Sequence, residues 1–334
     1  MTPAVPSRLS FAAAWVLALS LEAAAATPAA PAAVSTVAFD TTPRAGQHQR
    51  QRIDIKAVVS MRAQPGPNAT DEQRARTAQA AEKFAQMGAM KMAVKMDQTL
   101  KVGQPDAEGW LPLTVSTGSQ AGQVEVGGKT QPLPQGKELG FIARFNPKDF
   151  AFEIQDVEGA AEVGDVVRNQ GRAIVGEALQ LYKVLAQRPL KVGESVEVPM
   201  NLALPMPLPG GAGAMQAKLR YTLTRLDKGV AHFDTAMNMQ MDINAPTPAA
   251  SAASQPADDT PPQLMNVAMN GSGKGSSTLR LADGLPLTSQ LRMVMTITMQ
   301  MPDNGLMLMD MDMDTRARGE SLAKAAAQPA KKKN

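Results

Sequence analysis

A chain of 334 residues with no cysteine can bury a sizeable core, but it has no disulfide frame, thiol nucleophile or thiolate metal site. Its two histidines, His48 and His232, are too few for any centre built on three imidazoles. The formal net charge of +3 is concentrated at the end, where six basic residues from Arg316 onward face Glu320, and the near-neutral body has no electrostatic footprint for nucleic acid.

Residues 1–26 open with Arg8, continue through the apolar run Leu9 to Leu21, and end on Ala24-Ala25-Ala26. A charged start, an apolar middle too short for the ~20 residues of a bilayer span, and small residues at the end are the pattern of a secretory signal peptide. The mature chain is therefore expected in the periplasm or outside the cell, with no membrane span after cleavage. Residues 27–45 are read as an Ala/Pro linker, of which 27–34 have no core-forming capacity.

The first β-rich half is expected over residues 46–160. Ile53 to Met61 alternates apolar and polar residues as a strand does. Thr70-Asp-Glu-Gln73 is a capping box, and it predicts a helix to Gln86 or Met87 closed by Gly88. Met90, Met92, Val94, Met96, Leu100 and Val102 share one face of the next strand. Leu111 to Val115 and Val124 to Val126 read as two short strands, and Phe141–Phe145 with Phe150–Ile154 as a hairpin around Asn146-Pro-Lys-Asp149.

Residues 161–190 are read as a connection, with apolar residues at three- and four-residue steps predicting a helix from about Asp165 to Ala186 before Pro189. The second half, 191–315, holds alternating strands at Val196–Leu204, Leu219–Leu223 and Phe233–Ile243. An Ala/Pro/Ser insertion at 246–262 is expected to be a mobile loop. Met265, Val267 and Met269 lead on, and Gly271 to Ser277 is read as a hairpin or loop. Met307, Met309, Met311 and Met313 close the body, and 316–334 is expected to be a disordered basic tail.

The strongest alternation runs from Leu285 to Met301. Its odd positions are apolar except Ser289, and its even positions are mostly polar, which predicts one buried and one solvated face. Asp283-Gly284 before it signals a tight turn. So long a run predicts a bulge or bend near Pro286 or Ser289.

These patterns give the fold class as mainly β, or α+β: curved antiparallel sheets, as half-barrel or open-barrel meanders, with two helices. Gly88-Ala-Met-Lys-Met-Ala-Val-Lys-Met96 and Gly213-Ala-Met-Gln-Ala-Lys-Leu-Arg-Tyr221 begin alike, and they reflect either an internal duplication or the common look of amphipathic strands.

Arg188-Pro-Leu-Lys-Val-Gly-Glu-Ser195, Gly271-Ser-Gly-Lys-Gly275 and Asp283-Gly-Leu-Pro286 together resemble a family of uncharacterised secreted bacterial β-rich proteins over roughly residues 50 to 315. Val196 stands where that family often places an aromatic. The layout is more distantly similar, in fold alone, to lipoprotein-carrier (LolA-like) half-barrels, in which a curved sheet cups an acyl chain.

No catalytic constellation is found, and a non-enzymatic protein without cofactor is expected. Gly271–Ser277 lacks the Walker spacing, Ser321-Leu-Ala-Lys324 lacks partner motifs, and Asp310, Asp312 and Asp314 lack calcium-loop spacing and fall opposite a methionine row. His232 falls on the polar, exposed face of its strand. The candidate site is the apolar face formed by Met237, Met239, Met241, Leu291, Met293, Met295, Ile297 and Met299. The expected partner of such a face is an apolar small molecule or lipid. A purely structural or interaction module of the cell envelope is the alternative. Thioether binding of Cu(I) is a third reading, opposed by the ~6–7 Å between same-face neighbours on one strand.

Overall fold

The computed structural model describes residues 36–133, 138–159, 182–203, 214–246, 264–300 and 305–322. The first half contains β1 (His48–Pro65), helix α1 (Asp71–Met87), β2 (Met90–Val102), β3 (Leu111–Val126), β4 (Lys129–Pro132), β5 (Leu139–Asn146) and β6 (Ala151–Glu158). The second contains β7 (Ser195–Ala203), β8 (Ala214–Asp227), β9 (Val230–Pro246), β10 (Leu264–Arg280), β11 (Leu285–Gln300) and β12 (Gly305–Ser321). All belong to one antiparallel sheet in the order β6-β5-β3-β2-β1-β12-β11-β10-β9-β8-β7, with β4 paired to β3. Among the described residues the sheet is open, since β6 and β7 end the order without pairing.

The first and last strands hold the sheet together. β1 and β12 pair without interruption from Gln49 opposite Ser321 to Pro65 opposite Gly305. Each half is a meander winding outward from this central pair. Of the two similar segments, Met90–Met96 lies in β2 beside the central pair and Ala214–Tyr221 in β8 next to the outermost strand, so they hold different places in the sheet.

Helix α1 forms where its capping box predicts. The Gln73 amide donates to Thr70 Oγ1, while the Thr70 amide donates to Gln73 Oε1 at 2.8 Å. Asp71 and Glu72 in the first turn suit the positive helix start, and Gly88 takes the left-handed φ of 65° that ends it. The helix lies against β1 and is polar almost all round, with Thr77 its buried residue. The expected second helix falls largely outside the described residues; 182–187 are helical and stop before Pro189.

Several elements differ from their expected bounds. Leu111 to Val126 is one strand, because β2 pairs along nearly all of it across a single irregularity at Lys95/Met96. Gly271–Ser277 is no loop but the middle of β10, paired on both sides. The expected tail beginning at Arg316 is corrected for its first six residues: Arg316 to Ser321 continue β12 opposite Gln49–Asp54. Their polar side chains belong to a strand that is stabilised by pairing.

The expected bulge is present. Thr278 faces Thr288 while Leu279 faces Pro286, so Leu287 is the extra residue of β11. From Ser289 to Met293 the odd residues are buried, and Arg292 and Val294 are exposed. The expectation that every even residue faces solvent fails at Pro286, which is buried because the bulge exchanges the faces. From Met295 to Met299 both faces are only half-buried. Met301 lies outside the described residues.

The main core lies on the inner face of β7 to β11, where Val196, Val198, Tyr221, Leu223, Phe233 and Val267 are buried with Phe39, Leu185 and Leu190 laid over them. A smaller core joins β2, β3 and β5 through Val102, Leu111, Leu113, Ala143 and Phe145, with Phe152 of β6 packed against it half-buried. The opposite face is polar. Arg62 pairs there with Asp310, Arg292 with Asp312, and Arg316 with Asp314.

Candidate functional site

The predicted site residues come together on the inner face. Met237, Met239, Met241, Leu291 and Met293 are buried in the main cluster, and Met295, Ile297 and Met299 pack against it half-buried. Alternation could place these side chains on one face of each strand, but only the pairing register shows which ones meet.

That register arranges the methionines in rows across the strands. One row runs Met239, Gly271, Met295, Met311, Val59, Met90. The next runs Met237, Gly273, Met293, Met313, Ala57, Met92. On the far side Met241 faces Met269, which faces Ile297, which faces Met309 and then Met61. Directly opposed residues in an antiparallel pair have Cα atoms about 4.5–5.5 Å apart, closer than the same-strand spacing. Sequence reading missed Met61, Met307, Met309, Met311 and Met313 as members of the site, although their alternation was visible.

Glycines of β10 interrupt these rows. A Cβ on Gly271 would lie 2.9 Å from Met239 Cε and 3.0 Å from Met295 Cβ. At Gly273 the same atom would lie 2.9 Å from Met293 Cγ and 3.3 Å from Leu291 Cδ1. The missing side chains are thus replaced by neighbouring methionine and leucine. This is why a glycine-rich stretch is tolerated in the middle of a strand.

Cover over the face is uneven. Met61, Met90, Met92, Met96, Met307, Met309, Met311 and Met313 remain half-exposed on β1, β2 and β12. Beyond the methionine rows the lining becomes polar. Thr235 faces Gly275, Leu291 faces Thr315, and Ser277 faces Ser289. The side-chain oxygens of Thr235, Ser277, Ser289 and Thr315 are all buried and without a hydrogen-bond partner. A buried hydroxyl left unpaired costs about 1–3 kcal/mol, so four in two adjacent rows form a polar band with unmet hydrogen-bonding capacity.

The ionisable groups lie mainly on the other face. Asp310 accepts from Thr296 and Arg62, and the Thr296 hydroxyl and the Arg62 guanidinium hold its carboxyl below the usual range. Asp312 is held down likewise by Arg292. His232 is half-buried rather than exposed as expected, and desolvation and then the Arg225 charge lower its pKa. Burial pushes the Tyr182 phenol up to about 12. Among the described residues no three His, Cys, Asp or Glu side chains cluster as a metal site. No helix among them is long and apolar enough to cross a membrane.

No family model matches the chain, and no curated protein matches it. Among solved structures, the beta domain of the Bordetella autotransporter BrkA aligns with 82% of this chain and 99% of its own, at 9% identity and a TM-score of 0.18. A score that low supports no inference about fold or role.

Proposed function

We propose that the protein is exported and binds an apolar, acyl-chain-like ligand on the inner face of its sheet. The observation that carries this reading is the uneven cover of that face. Its methionines stay partly exposed on β12, at Met61 of β1 and on the far part of β11, while Ala57 and Val59 of β1 are buried. Partly exposed methionines leave apolar contact surface for a ligand, and flexible thioethers adapt to ligands of irregular shape. The adjacent band of unpaired hydroxyls adds hydrogen-bonding capacity for the polar end of an amphiphile.

The role is binding rather than catalysis. The acidic residues of β12, the obvious candidates for acid–base work, are engaged by arginines on the opposite face. The leader pattern in residues 1–26 supports export.

Titration of the purified protein with a fluorescent fatty-acid probe tests the reading. Saturable binding is expected, weakened at least tenfold by the double substitution Met295→Asp, Ile297→Asp. If no saturable binding occurs, the structural or interaction module of the envelope becomes the better account. For export, N-terminal sequencing of periplasmic material should begin near Thr27; an intact Met1 in the cytosol contradicts it.

A further inference from the structure

Two sets of methionine on the inner face differ in solvent access. Every inner-face position of β12 from Met307 to Met313 is a methionine, and each is partly exposed. Met299 opposes Met307, Met295 opposes Met311, and Met61 opposes Met309, all of them partly exposed as well. Opposed residues in an antiparallel pair have Cα atoms about 4.5–5.5 Å apart, so these thioethers form one continuous patch that water reaches. The second set, Met237, Met239, Met241, Met269 and Met293, is buried in the main core. Cysteine, the other sulfur side chain open to oxidation, is absent from the chain.

We infer that the exposed patch is a modification site, oxidised to sulfoxide by hydrogen peroxide and restored by a sulfoxide reductase. In the forward step a thioether sulfur attacks one peroxide oxygen. An S–O bond forms, the O–O bond breaks, and the leaving hydroxide takes up the released proton as water. Sulfur is oxidised by two electrons and the peroxide reduced by two. In the return step the reductase's dithiol becomes a disulfide and the sulfoxide oxygen leaves as water. A sulfoxide is polar, and on the patch water solvates it, whereas at Met239 or Met241 the added oxygen would sit unpaired in the core. The reaction leaves intact what holds β12 in place. That strand pairs through its backbone with β1 and β11, and on its other face Arg62 pairs with Asp310 and Arg292 with Asp312. The patch therefore takes up oxygen without loss of the sheet.

The inference does not depend on acyl-chain binding, because its readouts are mass and fold. The full chain is treated with hydrogen peroxide over time, and each sulfoxide is assigned by fragment-ion mass spectrometry. The patch is expected to oxidise faster than the buried set by about tenfold or more, with circular dichroism unchanged while it does. In guanidinium the two sets should react at one rate, since the fold sets the order. Methionine sulfoxide reductases A and B with dithiothreitol should return the patch to its starting mass. Leucine keeps the volume and removes the sulfur, so Met307→Leu, Met309→Leu, Met311→Leu, Met313→Leu should take up four fewer oxygens before the sheet signal falls. Equal rates for the two sets in the folded protein, loss of the sheet as the patch oxidises, or sulfoxides that the reductases leave in place would each overturn the assignment.

Discussion

Gly275 and Gly319 have no room for a side chain. A Cβ on Gly275 would approach the Gln290 carbonyl oxygen to 2.1 Å, and one on Gly319 the Pro286 oxygen to 1.9 Å. Gly271 is different, because the nearest atom to its added Cβ is the end of the Met239 side chain. Gly275→Ala and Gly319→Ala should therefore destabilise the protein by about 1–3 kcal/mol or more, and Gly271→Ala by visibly less, in equilibrium denaturation. Equal losses at the three positions would contradict these geometries. At the β10–β11 turn, Arg280 donates to both oxygens of Asp283 and holds its carboxyl below the usual range. A lowered folded-state pKa gives stability that is present above the unfolded value and lost as pH falls through the folded one. Arg280→Ala should move the Asp283 titration up toward 3.8, followed by carbon-13 NMR of the carboxyl. The stability difference between the two proteins, about 1 kcal/mol or less for so exposed a pair, should vanish once both are acidified below the Asp283 titration. This turn was legible in sequence, since Asp283-Gly284 is a turn pair and Gly284 adopts a φ of 64°.

Among the elements, α1 and the β5–β6 hairpin were readable because their signals are local. A capping box needs only Thr70 and Gln73, and the hairpin turn only Asn146 to Asp149. Thr70→Ala should cost about 1 kcal/mol and raise the amide exchange rate across the first turn of α1, leaving the β1–β12 amides protected. Faster exchange confined to the sheet would show that the cap acts elsewhere. β10 and the end of β12 were not readable, because what keeps them in the sheet is distant in sequence. Gly271 to Ser277 has turn composition, yet Met239, Met293 and Met295 occupy the space its side chains lack. Arg316 to Ser321 has the composition of a solvated tail, yet each residue pairs with β1, more than 260 positions away, as Arg316 does with Asp54. The candidate face divides the same way: the parity of Met237–Met241 and Met293–Met299 was visible, and their meeting with Met311 and Met313 needed the register.

At the scale of the whole molecule, the chain begins and ends its sheet in the middle. β12 separates β1 from β11, so its removal would leave two long unpaired edges inside the structure. A chain ending at Gln300 should aggregate, because uncovered edges template pairing between chains. A soluble, monomeric truncation by size-exclusion chromatography would show that the two meanders are independent. The same central position gives β12 its part in the proposed role, since its methionines are half-exposed between the two cores. Native mass spectrometry of the full chain, purified from the periplasmic fraction without detergent, tests that role most directly. The account predicts adducts with the mass of acyl-chain compounds, kept in Met293→Leu, Met295→Leu and lost in Met295→Asp, Ile297→Asp. A bare protein, or adducts that the aspartate variant retains in full, would contradict it.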